Sequence, residues 1–262
     1  MTVLLVMAKA PVAGRAKTRL CPPATPVQAA RLATAALLDT VEAVEASGAA
    51  TPVLALAGRL SDADGYPGAA EELAVAVAGW RVLPQRGDGF ADRLANAYAD
   101  VAAAYPGRPV LQIGMDTPQL TGTRLSAAAG SLTGLGRRQG PGRREGLGRR
   151  QSLGRRQGPG RREGTDAVLG FAADGGWWAL GLRDPQHAEA LRRVPMSTSR
   201  TGRDTWAALR GRGLRVASLP VLRDVDEWRD ALVVADAIPG GRFAAQVATA
   251  TAARVLVAGV GR

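Results

Sequence analysis

Short apolar runs in this chain alternate with longer segments whose apolar residues recur every three or four positions. Few folds accept that alternation. A strand apolar on both faces, followed by a one-sided helix, closes into a mainly parallel sheet covered by helices on both faces. The strand-like runs are Val3–Ala8, Pro52–Ala57, Trp80–Leu83, Pro109–Ile113, Asp166–Phe171, Trp177–Leu182 and Leu214–Leu219. Between them lie helical patterns at Pro26–Ala46, Ala69–Val77, 89–104 and Arg203–Arg212, with a last helical region from about Asp226 and a packed helix at Phe243–Val260. In the first of these, Ala30, Ala33, Leu37, Leu38, Val41 and Val44 recur at helical spacing. The expected fold is an α/β three-layer sandwich in one domain spanning 1–262. In such sheets ligands bind beyond the carboxyl ends of the strands.

The pattern breaks once, between Thr133 and Thr165, where GRRQ or GRRE begins at Gly136, Gly142, Gly148, Gly154 and Gly160. No unit carries more than one large apolar residue, so a disordered Arg/Gly-rich insertion is expected over 134–164. It holds ten arginines and two glutamates, so the formal charge of +11 reduces to +3 over the other 231 residues. The basicity that resembles a nucleic-acid signature belongs to this segment alone, and nucleic-acid binding is expected only through it. One cysteine excludes a disulfide framework, and with one histidine, His187, it excludes a Cys/His zinc cluster. Any metal must then sit on carboxylates, which suits Mg2+ or Mn2+. The apolar start Val3–Ala8 is too short and lacks the preceding basic residue of a signal peptide, and Gln246 and Arg254 interrupt Phe243–Val260. No membrane span and a cytoplasmic location are expected.

Five segments follow strand ends. AKAPVAGRAKTRL (8–20) combines Gly14 with Arg15, Lys17 and Arg19, a phosphate clamp or a solvated basic loop. It lacks P-loop spacing. IGMDTPQL (113–120) puts Asp116 where a carboxylate has no packing purpose; it either holds a hard cation or caps a helix. RDVDEW (223–228) sets Asp224 and Asp226 on one side of extended backbone, with helix capping by Asp226 as the alternative. AADGGWWALG (172–181) offers glycines for close backbone approach to a ligand, then Trp177 and Trp178 on opposite faces, one toward a pocket and one toward core, or a plain hairpin. PQRGDGFADRL (84–94) is the weakest, with a Gln and an Arg that suit a base or phosphate.

Together and in this order, AKAPVAGRAKTRL, PQRGDGFADR, GMDTP, DGGWWALGL and DVDEW resemble the CofC-like, radical-SAM/selenodomain-associated glycosyltransferase family of the GT-A nucleotide-diphospho-sugar transferase superfamily. The resemblance covers about residues 3–235 apart from the repeat. It implies a GT-A, Rossmann-like fold and a metal-dependent transferase using a nucleotide or nucleotide-sugar donor and a small-molecule acceptor. Arg15, Lys17 and Arg19 would hold nucleotide phosphates, with Gln85, Gly87 and Arg93 along the nucleotide pocket. Asp116 and Asp226 would bind the metal, and Asp174, Gly175 and Gly176 would face sugar or acceptor. Asp116, Lys17 and Asp174 are the implied catalytic residues. The tryptophan pair replaces the family's tyrosines. The motifs leave open whether a sugar or a nucleotidyl group is transferred; the family name favours the sugar. A binding protein working through the Arg repeat is the rival from another class.

Overall fold

The structure, a computed structural model, describes residues 1–48, 50–133 and 164–260, with side chains described to residue 253 and not at Ala50. The expectation of a disordered insertion falls on residues outside these, from 134 to 163.

One seven-stranded sheet organises the chain, in the order β3-β2-β1-β4-β6-β5-β7. Its strands are β1 (Thr2–Lys9), β2 (Ala50–Ala57), β3 (Arg81–Pro84), β4 (Val110–Gly114), β5 (Ala167–Ala172), β6 (Trp177–Leu182) and β7 (Val216–Leu222). All neighbouring pairs are parallel except those made by β6, which runs antiparallel between β4 and β5. The continuous apolar run of β1 is explained by its central place, since every residue from Thr2 to Ala8 is buried.

The helices are α1 (Pro26–Ala46), α2 (Ala69–Ala76), α3 (Phe90–Ala104), α4 (Gly122–Thr133), α5 (Thr201–Gly211), α6 (Trp228–Ala237) and α7 (Arg242–Val260). A 3-10 helix at Pro185–Arg193 carries the half-buried His187. Residues of α1, α2 and α4 fill one face of the sheet around Leu4, Val6, Leu54 and Ile113. Residues of α3, the 3-10 helix and α5 fill the other, around Leu5, Val53, Leu169 and Leu180. Helix α1 starts at a Thr25–Gln28 capping box with Pro26 in its first turn. Its second apolar side, Ala29, Leu32 and Ala36, meets Phe243 and Val247 of α7 and Val234 of α6. That accounts for a helix apolar nearly all round.

Several boundaries differ from the sequence reading. Strand β7 continues through Pro220 to Leu222, which an edge strand tolerates because no ladder bond is lost on its open side. Helix α5 begins two residues early, at Thr201. Helix α6 starts at Trp228, two residues after Asp226, and α7 at Arg242, one before Phe243. Among the described residues no helix is long and apolar enough to cross a membrane.

Candidate functional site

The strand order reverses direction between β1 and β4, and the chain leaves the adjacent carboxyl ends of these strands as two divergent loops. A cleft of about 720 Å³ opens there. Its floor includes Met7, Lys9, Gln112 and Gly114, and its rim carries residues 15–19, Asp116, Asp174, Asp224 and Asp226.

The basic loop after β1 is pinned by its backbone. Ala10 N–H donates to the Ala57 carbonyl at 2.9 Å, and Ala13 N–H to Asp64 Oδ1 at 2.7 Å. Lys17 then takes left-handed backbone, φ 50°. A lysine held there implies that its direction is imposed by its surroundings. Its Nζ donates to Asp116 Oδ2 at 3.3 Å and to the Val225 carbonyl, and lies 3.9 Å from Asp226 Oδ1. The Lys17 side chain is only 13% exposed, against 67% for Arg19, which pairs with Asp226 at 3.0 Å. Arg15 is exposed on the rim and makes no ion pair among the described residues.

Neither aspartate motif caps a helix with its site carboxylate. Helix α4 is capped by Thr121, whose Oγ1 accepts from Arg124 N–H, and α6 by Glu227 with Asp230. Asp116 and Asp226 are thereby left to the cleft, which removes the capping alternative. The two loops are laced together: Val225 N–H donates to the Asp116 carbonyl at 2.9 Å, and Thr117 Oγ1 to Asp224 Oδ1 at 2.8 Å.

Asp224 is the carboxylate the sequence reading passed over as a ligand. Burial pushes its carboxyl up to about 8, and the charges of Asp116 and Asp174 add to that. The Thr117 hydrogen bond and the Lys17 ammonium pull it back. Its signal in the sequence is the Asp-Val-Asp spacing, which does not say which carboxylate turns inward. Lys17 and Arg19 offset two of the three carboxylates, and the charges of Asp116 and Asp174 still disfavour ionising the third, Asp224; the donors all three offer are oxygens. That set fits a hard divalent cation better than a soft one. Among the described residues no group of three His, Cys, Asp or Glu encloses a metal. A cation here would therefore rest on about two carboxylates and complete its shell from substrate phosphates and water, as Mg2+ commonly does.

The other sequence candidates divide. Gln85 lines the cleft, but its Nε2 donates to the carbonyls of Ala8 and Ala55 at 2.8 and 2.9 Å, tying the ends of β1 and β2 together. Asp174 is exposed, and its Oδ1 accepts from Gly176 N–H at 2.8 Å within the hairpin turn. Gly176 and Arg93 line the cleft. Gly87 and Gly175 do not touch it; their freedom serves close approaches inside the protein. A Cβ on Gly87 would stand 2.6 Å from Asp92 Cβ, and one on Gly175 2.0 Å from the Ser199 carbonyl oxygen. The backbone approach expected at Gly175 is thus to protein.

A register shift between Gly170 and Phe171 leaves one residue of β6 unpaired, and the two indoles lie on opposite faces of the sheet, as strand alternation requires. Trp177 lines the cleft, while Trp178, 1% exposed, lies in the core and donates from Nε1 to the Pro220 carbonyl. The segment Met196–Ser199 with Thr201 also forms cleft wall and went unread, because a Ser/Thr cluster before a helix looks like capping alone. Its hydroxyls hold the turn before α5 without capping it: Thr201 Oγ1 accepts from Thr198 N–H and Thr198 Oγ1 from Arg200 N–H.

In architecture the chain is similar to a crystal structure from Desulfovibrio desulfuricans G20, provisionally assigned as a nucleotide-diphospho-sugar transferase. The TM-score is 0.72 and the identity 18%, over 96% of each chain. A lower likeness, TM-score 0.46 at 12% identity over 86% of this chain and 77% of the other, is to a cytidylyltransferase from Leptospira borgpetersenii serovar Hardjo-bovis. No curated protein matches the sequence significantly. At 18% identity the likeness to the Desulfovibrio structure establishes the Rossmann-like α/β fold. The family model for an uncharacterized protein conserved in bacteria, DUF2064, matches residues 40–141 and 156–198, a span that holds Asp116, Asp174 and the tryptophan pair. That match takes in over half of the chain, which therefore belongs to the DUF2064 family.

Proposed function

We propose that the protein is a metal-dependent transferase that uses a nucleotide sugar as donor and moves the sugar to a small-molecule acceptor. The observation that carries this reading is the convergence of Lys17, Asp116, Asp224 and Asp226 from the three loops that follow β1, β4 and β7, with Arg15 and Arg19 beside them. The leaving nucleoside diphosphate gains negative charge in the transition state. Asp116 and Asp224 would hold Mg2+ or Mn2+, which supplies electrostatic stabilisation of that charge when bound. Lys17, already fixed against Asp116, presents its ammonium at the same place. Arg15 and Arg19 border the opening, where an outer phosphate would enter. The Desulfovibrio structure's assignment as a nucleotide-diphospho-sugar transferase supports a nucleotide-using transferase, and the choice of the sugar follows the motif resemblance. The same geometry supports one domain for the whole described chain, with the Arg repeat as an insertion in it.

The test is product analysis with a panel of nucleotide sugars and nucleoside triphosphates, with Mn2+ and with EDTA. Slow hydrolysis or transfer that releases a nucleoside diphosphate only in the presence of the metal is the expected result. Pyrophosphate release from a triphosphate would replace this reading with nucleotidyl transfer.

A further inference from the structure

The inner wall of the cleft has chemistry that the charged rim does not use. Six buried side-chain polar atoms lack a hydrogen-bond partner among the described residues, and three belong to residues lining this one cleft: Gln112 Oε1, Arg93 Nε and Trp177 Nε1. Gln112 is 2% exposed and stands in register between Leu5 and Leu180, both in the apolar cluster of that sheet face. A leucine would pack there at no desolvation cost, whereas an unsatisfied amide oxygen bears the full penalty. Arg93 has no carboxylate partner among the described residues; its guanidinium lies 5.9 Å from the centroid of the Phe90 ring. A cation placed this way favours an anion. Phe90 is itself 44% exposed at the cleft, and Met7 and Met196 complete an apolar lining.

We infer that this wall is a second subsite, for an anionic small molecule with a flat or apolar body: its carboxylate or phosphate ester would meet Arg93 and the Trp177 indole N–H, and a hydroxyl or N–H would donate to Gln112. Resting on the transferase reading above, it assigns the acceptor class. On this reading Arg93 serves the acceptor and not the nucleotide pocket that the resemblance implies, because its unpartnered Nε shares the inner wall with those of Gln112 and Trp177. Gln112 stands on β4, and Asp116 lies two residues beyond the end of that strand. Gln112 and Asp116 are four residues apart, at most about 13 Å in extended chain, within the span of one small molecule.

The test follows the Trp177 indole N–H by ¹H–¹⁵N NMR, assigned with Trp177→Phe. The full chain is titrated with benzoate, phenyl phosphate and neutral benzyl alcohol, and separately with UDP and Mn2+. Benzoate, phenyl phosphate or both should shift the resonance. Arg93→Gln should weaken that binding at least tenfold while leaving benzyl alcohol unchanged, and Gln112→Leu should melt at or above the wild-type temperature. The anion that binds tells carboxylate from phosphate ester. Benzyl alcohol binding as tightly as either anion, no shift with any anion, or a Gln112→Leu variant less stable than wild type would overturn the subsite. UDP binding that persists in that case leaves the rim reading standing. Aromatic anions that bind in a protein that fails to bind UDP in the separate titration would sink the rim reading instead.

Discussion

The rim and the inner wall of the same cleft handle their polar groups in opposite ways. On the rim, Lys17 and Arg19 are matched to Asp116 and Asp226 by ion pairs. On the wall, Arg93, Gln112 and Trp177 hold polar atoms that nothing in the described protein satisfies. The rim partly neutralises itself and exchanges partners when a ligand arrives. The wall is incomplete until one does. Rim substitutions should therefore act through charge and metal, and wall substitutions through ligand binding with little loss of stability.

The largest expected effect separates the wall from the core behind it. Trp178→Ala should lose ~3–5 kcal/mol, because a buried indole and its hydrogen bond disappear together. Trp177→Ala should lose clearly less, about 1–2 kcal/mol, because one side of its ring packs on the core and the other faces the cleft. Urea denaturation of the two variants measures this, and equal losses would merge the wall with the core. On the rim, Asp116→Asn should keep the fold and reduce metal-dependent turnover by about 100-fold or more, in line with losing one preorganised electrostatic group. Normal turnover would remove Asp116 from the chemistry.

Asp224 permits a test with a pH sign. Its folded-state carboxyl titrates at about 8, above its unfolded value, so the unfolded state sheds the proton first as pH rises. Metal-free stability should then fall between about pH 4 and pH 8. Asp224→Asn should remove that slope and gain on the order of 1–3 kcal/mol by pH 8. Thermal melts in EDTA at several pH values decide it; a variant that is less stable at every pH would contradict the buried-repulsion view. The smallest effect concerns salt. Arg19→Ala should weaken nucleotide binding by ~0.5–1 kcal/mol at low ionic strength and less at high, since an exposed charge is screened. Lys17→Ala, at a 13% exposed side chain, should lose binding to a similar degree at all salt concentrations.

The sheet, its order of helices and the loops that meet at its carboxyl edge were legible because strand and helix periods differ and because Asp116 and Lys17 have no packing reason to follow strands. Apolar periodicity could not reveal that β6 is antiparallel, because a strand buried on both faces reads alike in either direction. Alternation did put Trp177 and Trp178 on opposite faces, but not which of them meets the cleft. Asp224 and Asp226 look equal in the sequence; Thr117, from a loop over a hundred residues away, turns Asp224 inward. Gln112 stayed hidden for a plainer reason: in Val110–Gly114 it reads as one polar residue in a strand, and its isolation depends on Leu5 and Leu180 beside it. Gly87 and Gly175 were read for ligand approach, yet the backbone each one admits is the protein's own.

The central claim is that Asp116 and Asp224 share a divalent cation with a nucleotide's phosphates. Mn2+ binding followed by electron paramagnetic resonance, with and without a nucleoside diphosphate, tests it most directly. In wild type the nucleotide should tighten Mn2+ binding at least tenfold, and Asp116→Asn and Asp224→Asn should each abolish that gain while remaining folded. Nucleotide binding that is as tight in EDTA as in Mn2+, or variants that keep the full gain, would contradict it.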